Sequence, residues 1–381
     1  MDFDWADEQR EFYDTVVRFA THELAYDVAQ ADADCAFPRE AWERCAKFGI
    51  QSLALPEAYG GSDADVLTLI CAMEALGYGC RDGGLLFSLS AHMWACQDPI
   101  VRFGNDEQKE RWLPGLGDGS LIAAHAMSEP ESGSDAFKLR STLRREGEGF
   151  VLNGSKTFCS NAPVADVFLV FATVDATKGF FGVTALLLPR DTPGLTVGPP
   201  LHKMGLRTSL MSELFFDDCE VPADCILGRV GGGMMVFTQG MERERSLILA
   251  STIGTMQRGL ERTIEHAKTR QQFGAPIGKN QAVSHRIVEM RLRLETARLL
   301  LYRLGWLADQ GRPTALEASM VKLYLSEVFV QNSMDGLQLH GGYGYMAEYD
   351  LERDVRDALG ARIYSGTSEI QRNIAAHLLG L

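Results

Sequence analysis

The sequence predicts an α+β protein of three consecutive blocks: an N-terminal all-α domain over 1–122, a middle β domain over 123–230 and a C-terminal α-helical domain over 231–381. Three observations carry this. Apolar residues recur at helical spacing through the first block. The period then shortens to strand-like runs, and long helical patterns return for the last block.

In the first block, Phe12, Val16, Phe19 and Ala20 share one helical face, as do Leu67, Ile70, Met73 and Leu76. Pro-, Gly- and Asp-rich punctuation at 56–65 and 114–120 separates the helices. In the second block, Val167–Phe171, Gly182–Leu188 and Glu213–Phe216 read as strands between turn residues. The third block reads as helices over Met235–His266, Gln281–Gln310 and Thr314–Leu339. A β domain between two all-α domains is an uncommon order, and it narrows the candidate folds.

A composition of 46% hydrophobic and 23% charged residues sets aside disordered, collagen-like and coiled-coil proteins. The net charge of -14 argues against a nucleic-acid partner, which requires a basic footprint. Residues 1–122 hold 9 basic and 22 acidic side chains, residues 123–230 hold 10 and 13, and residues 231–381 hold 18 and 16. The excess negative charge therefore belongs to the first third, where it reads as a solvated acidic face; the alternative is that the remainder is kept near neutral in order to hold an anionic ligand. The stretch MDFDWADEQREFYD lacks the basic and apolar regions of a signal peptide, and no apolar run approaches the ~18 residues of a membrane span. A cytoplasmic protein without membrane insertion is expected. Eight cysteines form no C-x-x-C pair and are expected as reduced core thiols. Histidines at neither H-x-x-x-H nor H-E-x-x-H spacing argue against a metal site, and the serine-hydrolase, P-loop and Rossmann motifs are missing.

The β block opens on Ala126-Met-Ser-Glu-Pro-Glu-Ser-Gly-Ser-Asp135, a loop of small and hydroxyl residues whose backbone N–H groups can approach a ligand. Asn153-Gly-Ser-Lys-Thr-Phe-Cys-Ser-Asn-Ala162 follows and reads as a hairpin-like Asn-Gly turn entering a short strand. Phe158 and Ser160, two apart, share a face of that strand, where a planar ring is flanked by one and hydrogen-bonded by the other.

Together with Thr269–Gly274, Gln338–Tyr345 and Ile363–Arg372, these segments resemble the acyl-CoA dehydrogenase family, in family order and across essentially the whole chain. The resemblance implies a middle β-barrel or sandwich, a C-terminal four-helix bundle, and FAD held between them in a homotetramer. It sets Met127, Ser128 and Ser134 of the first loop, with Phe158 and Ser160, around the isoalloxazine; Phe158 departs from the usual Trp. It implies that Arg270, Gln272, Phe273, Gln338, Gly341 and Gly342 reach the dinucleotide of a neighbouring subunit, and that Thr367 and Glu369 lie near the pyrophosphate and adenosine. Arginine suits phosphate oxygens, and paired glycines admit close backbone approach.

The family's chemistry removes a proton from Cα of an acyl thioester while a hydride leaves Cβ for flavin N5, and it needs a carboxylate of raised pKa in a dry site. Most members carry that Glu directly before the Gly-Thr of the last motif, where this chain has Ser365 before Gly366. The Ser365 backbone N–H can still polarise the thioester carbonyl. A minority carry the base before an Arg on an earlier helix, which matches Glu244 and Arg245. Leu247, Ile248 and Ser251 follow at i+3, i+4 and i+7, so Glu244 shares an apolar face, with Glu242 turned away. Arg245, Ser365 and Gly366 are the expected substrate contacts, and the flavin and substrate segments are expected to carry Lys203 and Arg207 as well.

The Ser365 and Glu244 combination, with Leu86–Ala95 and Thr263–Arg303, also resembles dehydrogenases of prolyl groups tethered to peptidyl carrier proteins, whereas Gly341-Gly-Tyr-Gly-Tyr345 is the mainstream acyl-CoA form. The substrate is thus an acyl or aminoacyl thioester of CoA or a carrier protein, with an electron-accepting protein or oxygen as the second partner. A flavin oxidase or monooxygenase on the same fold is the competing class.

Overall fold

The computed structural model describes residues 5–381. The N-terminal helices are α1 (Asp7–Glu23), α2 (Val28–Asp34), α3 (Arg39–Phe48), α4 (Val66–Gly79), α5 (Gly83–His92), α6 (Asp98–Phe103) and α7 (Asp106–Gly117). Side-chain caps start several of them: Asp65 accepts from Thr68 N at 2.7 Å before α4, and Asn105 with Gln108 forms a capping box on α7. Helix α4 is apolar almost all round because it is enclosed by α1 and by two C-terminal helices.

The strands are β1 (Ala123–Ala126), β2 (Thr142–Glu146), β3 (Gly149–Ser160), β4 (Val167–Thr173), β5 (Val183–Pro189), β6 (Leu195–Val197), β7 (Met211–Val221) and β8 (Ile226–Leu227). They pair in the order β6-β7-β3-β2-β4-β5-β8, with β1 parallel to β4. The two halves of the sheet meet at one pair, Thr142 with Thr173. Strand β4 is buried at every residue, which explains its unbroken apolar run.

Asn153-Gly154 is not the expected hairpin turn. Strand β3 runs straight through it, with a register shift against β7 between Leu152 and Gly154. Gly154 has φ +139°, and a Cβ there would stand 2.6 Å from Ser141 Oγ, so glycine serves a bulge rather than a turn. The connection between β2 and β3 instead turns at Gly147.

The C-terminal block holds α8 (Gly233–Leu247), α9 (Ala250–Thr269), the two-stranded β9 (Gln271–Gln272) and β10 (Ala275–Pro276), then α10 (Gln281–Asp309), α11 (Ala315–His340), α12 (Leu351–Gly360) and α13 (Ser368–Leu378). Helix α11 is the hub, packed against α8, α9, α10, α12 and α13. The single helix expected over Met235–His266 is broken at Ile248–Leu249. Leu247, Ile248 and Leu249 are all buried, so the apolar stripe continues across the break and conceals it from a periodicity reading.

Helices α4 and α9 cross in close contact. A Cβ on Gly77 would lie 1.7 Å from Ser251 O, and one on Gly254 would lie 2.0 Å from Glu74 O. This crossing seats α8 and α9 against the N-terminal helices. The cysteines are free; all are buried except the half-buried Cys35. Among the described residues no helix is long and apolar enough to cross a membrane, and no metal-binding cluster is found.

Candidate active site

Helix α8 delivers Glu244 into the interior at 8% exposure, one turn before the buried Leu247, while Ile248 lies in the break that follows and Ser251 on α9, both also buried. Glu242, two residues earlier, is turned away and accepts from Thr314 Oγ1 at 3.0 Å. The turn between α12 and α13 brings Ser365 to Glu244 from 121 residues away, and its hydroxyl donates to Glu244 Oε1. Ser365 sits at φ +56° and Gly366 at φ +90°. This left-handed pair is strained at the serine and is fastened from several sides. Gln371 Nε2 donates to the carbonyls of Ser365 and Gly366, each at 3.0 Å. Lys322, wholly buried, donates to Ala361 O at 2.9 Å and Gly366 O at 2.6 Å. Arg245 Nε donates to Ser365 O at 3.4 Å. Among the described residues no acceptor takes the Ser365 main-chain N–H.

Burial pushes the Glu244 carboxyl above the usual carboxylate range, although the Ser365 hydroxyl, Arg245 and Lys322 pull the other way. Burial also lowers the Lys322 ammonium to about 8, against the attraction of Glu244. The carboxyl is thus shielded from water with a single neutral donor on it, an environment in which a carboxylate can serve as a base.

A small pocket is lined by Ile248 of the break after α8, by Ser251, Thr255 and Arg258 of α9, and by Phe87 and Tyr364, whose ring centroids lie 4.6 Å apart.

The residues set around the isoalloxazine lie on the β domain. Met127 is buried, Ser128 and Ser160 are half-buried, Ser134 is exposed, and Phe158 is 65% exposed. Cys159 between Phe158 and Ser160 is buried, whereas Phe158 is exposed and Ser160 half-buried. A second register shift, between Lys156 and Cys159, holds Phe158 at φ +56°, a feature that strand alternation does not foretell. The stretch Met93–Gln97, a π-helical turn between α5 and α6, packs against both β1 and α8 and ties this face to the glutamate.

A separate open cleft of roughly 530 Å3 gathers Arg270, Gln272, Gln338, Gly341 and Gly342. The Arg270 guanidinium lies 5.5 Å from the Tyr343 ring centroid, and both glycines face open space. Phe273 is fully exposed at φ +54°. Thr367 caps α13, accepting from Ile370 N at 3.3 Å, and Glu369 is exposed in its first turn. These residues fit FAD. An exposed aromatic and a hydroxyl suit the ring system, and a guanidinium with uncovered glycine backbone suits the phosphates.

Lys203 and Arg207 are engaged elsewhere. Lys203 donates to the carbonyls of Leu206 and Ser209, and Arg207 pairs with Asp32 at 3.7 Å. They brace the β6–β7 loop and do not reach the glutamate. Sequence reasoning passed over Lys322, which no motif marks in α11, and gave no role to Gln371, Lys156 and Glu129, although all three lie inside the segments it singled out.

The chain belongs to the acyl-CoA dehydrogenase family: models of that family's N-terminal, middle and C-terminal domains match residues 6–120, 124–219 and 231–379. It is an FAD-dependent dehydrogenase of acyl thioesters. It is 42% identical to the L-prolyl-[peptidyl-carrier protein] dehydrogenase of Pseudomonas fluorescens over the full length of both chains. It superposes on the crystal structure of the prolyl acyl carrier protein oxidase AnaB with a TM-score of 0.98 and 44% identity, covering 99% of this chain and 100% of that one. The structure of PigA with FAD and proline matches at TM-score 0.98 and 40% identity, covering all of both chains.

Proposed function

We propose that this protein desaturates a prolyl thioester carried on a peptidyl carrier protein, with Glu244 as the base. The observation that carries the reading is the Glu244–Ser365 contact, in which the hydroxyl occupies the family's usual base position and donates to the carboxylate from the earlier helix. The prolyl carrier-protein enzymes among its relatives support the substrate class.

Bound FAD supplies the hydride acceptor. The chain's own groups do the rest. The free Ser365 N–H is placed to polarise the thioester carbonyl, which acidifies Cα–H. Glu244 takes the Cα proton, and the Cα–Cβ double bond forms as Cβ loses its hydride. The Ser365 hydroxyl aims the carboxylate and shares the proton-accepting lone pairs, and Arg245 holds the turn that presents both.

Arg270, Gln272, Phe273, Gln338, Gly341 and Gly342 are proposed to meet the dinucleotide of a neighbouring subunit in a homotetramer, and the protein is proposed to work in the cytoplasm. The three blocks 1–122, 123–230 and 231–381 are proposed as its domains. The test is anaerobic mixing of the yellow holoenzyme with prolyl-loaded carrier protein and, separately, with a series of acyl-CoAs. Bleaching by the prolyl carrier protein alone is expected. Bleaching by acyl-CoAs and not by the prolyl carrier protein overturns the substrate assignment. Reoxidation by oxygen or by an electron-transfer protein then identifies the second partner.

A further inference from the structure

The chemistry at Glu244 leaves unexplained an ion pair enclosed beneath the loop that follows β1. Lys156 Nζ lies 2.7 Å from Glu129 Oε1, with side chains 0% and 3% exposed. A cation so placed is costly unless its partners compensate it, and two acceptors are in reach. Nζ also donates to Met127 O at 3.1 Å. Glu129 in turn accepts from the backbone N–H groups of Arg140 at 2.5 Å and Ser141 at 3.0 Å.

These bonds close a loop. Glu129 and Ser132 exchange backbone hydrogen bonds at 2.9 and 3.1 Å, Ser132 Oγ donates to Asp135 O at 2.7 Å, and the far end of the loop returns to the Glu129 carboxylate. The next residue of β3 adds a tie, Thr157 N donating to Ser128 O at 2.9 Å. The carbonyls of Met127 and Ser128 are therefore held by two consecutive residues, Lys156 and Thr157. Immediately beyond them β3 shifts register and presents Phe158 and Ser160. One short span of strand thus links the two segments proposed to flank the flavin ring.

We infer that Lys156 and Glu129 are positioning residues for the flavin. The buried pair sets the loop 127–141 against the 158–160 bulge before FAD arrives, and binding then requires little further ordering. Neither side chain needs to touch the cofactor. The inference rests on the flavin reading of this face, and the two fail differently: wild-type apoprotein that binds no FAD removes the reading, whereas variants that bind it as well as wild type remove only the inference.

The experiment titrates full-length apoprotein with FAD, following flavin fluorescence and the visible absorption band, for wild type, Lys156→Met, Glu129→Gln and the double variant. Far-UV circular dichroism reports folding. Each single substitution is expected to weaken FAD binding about tenfold or more and to alter the shape of the 450 nm band in protein that remains folded. Wild-type affinity and spectrum in the folded variants overturn the proposal. If a single variant fails to fold, the double variant, which leaves no unpaired charge, takes its place under the same criteria. Hydrogen–deuterium exchange on the wild-type protein needs no variant: segment 127–141 is expected to be protected already in the apoprotein. Free exchange there until FAD is added overturns the proposal.

Discussion

Glu129 and Glu244 are both glutamates closed off from water, at 5% and 8% exposure, yet their protonation is driven in opposite directions. Burial pushes both carboxyls up. At Glu129 the Lys156 ammonium and the hydrogen bonds from Arg140 and Ser141 outweigh it, and the carboxyl stays below the usual range. At Glu244 burial outweighs the Ser365 hydroxyl and the more distant Arg245 and Lys322. The difference lies in the company: a full counter-charge in contact makes a brace, whereas one neutral donor leaves a base.

The strongest way to break this comparison is to remove the base. Glu244→Gln should retain FAD and lower the rate of flavin reduction by substrate by about 10³-fold in anaerobic stopped flow; a loss of less than tenfold removes Glu244 from that role. The same variant tests the electrostatics. A carboxyl raised in the folded state favours folding below its ordinary value of 4.5 and disfavours it as pH climbs through the folded value. Glu244→Gln should therefore melt higher than wild type at pH 7–8, with the gap closing towards pH 4.

Breaking the brace comes next. Lys156→Met leaves a carboxylate buried without its cation and should cost about 3–5 kcal/mol in denaturant unfolding, whereas Lys156→Met with Glu129→Gln should cost less than the single change. Equal or larger loss in the double variant contradicts the pairing. A smaller effect is expected at the outer cleft: Arg270→Gln should weaken FAD binding about tenfold while the flavin that remains bound is reduced at the wild-type rate.

The subtlest change is Ser365→Ala. The hydroxyl stabilises ionised Glu244, so removing it raises that carboxyl further. The acid limb of the pH profile for flavin reduction should move to higher pH, with a several-fold loss near neutrality and little change on the alkaline side. An unmoved limb separates Ser365 from the titration of Glu244.

Much of this was legible before folding. Helical spacing read Glu244 as facing inward with Leu247, Ile248 and Ser251, and all four are buried, although the helix breaks before Ser251. Other features left no trace. The break after α8 lies inside an uninterrupted apolar stripe, because a two-residue turn that stays buried preserves the pattern. Gly154 follows Asn as in a hairpin turn, but its conformation answers to Ser141, just ahead of the neighbouring strand. Lys203 and Arg207 looked available to an anionic ligand until the carbonyls and the acidic residue that engage them were in view.

The sequence by itself determined the order of helices and strands, the family and the candidate carboxylate, Glu244, in a chain whose usual base position holds Ser365, because period and motif spacing are local properties of the chain. Tertiary structure decided in which direction each buried glutamate is driven, Glu129 towards ionisation and Glu244 towards holding its proton. Those states depend on Lys156, 27 residues from Glu129, and on Ser365, 121 residues from Glu244. A pKa is set by dielectric and by charge at contact distance, and only the folded chain brings such neighbours together.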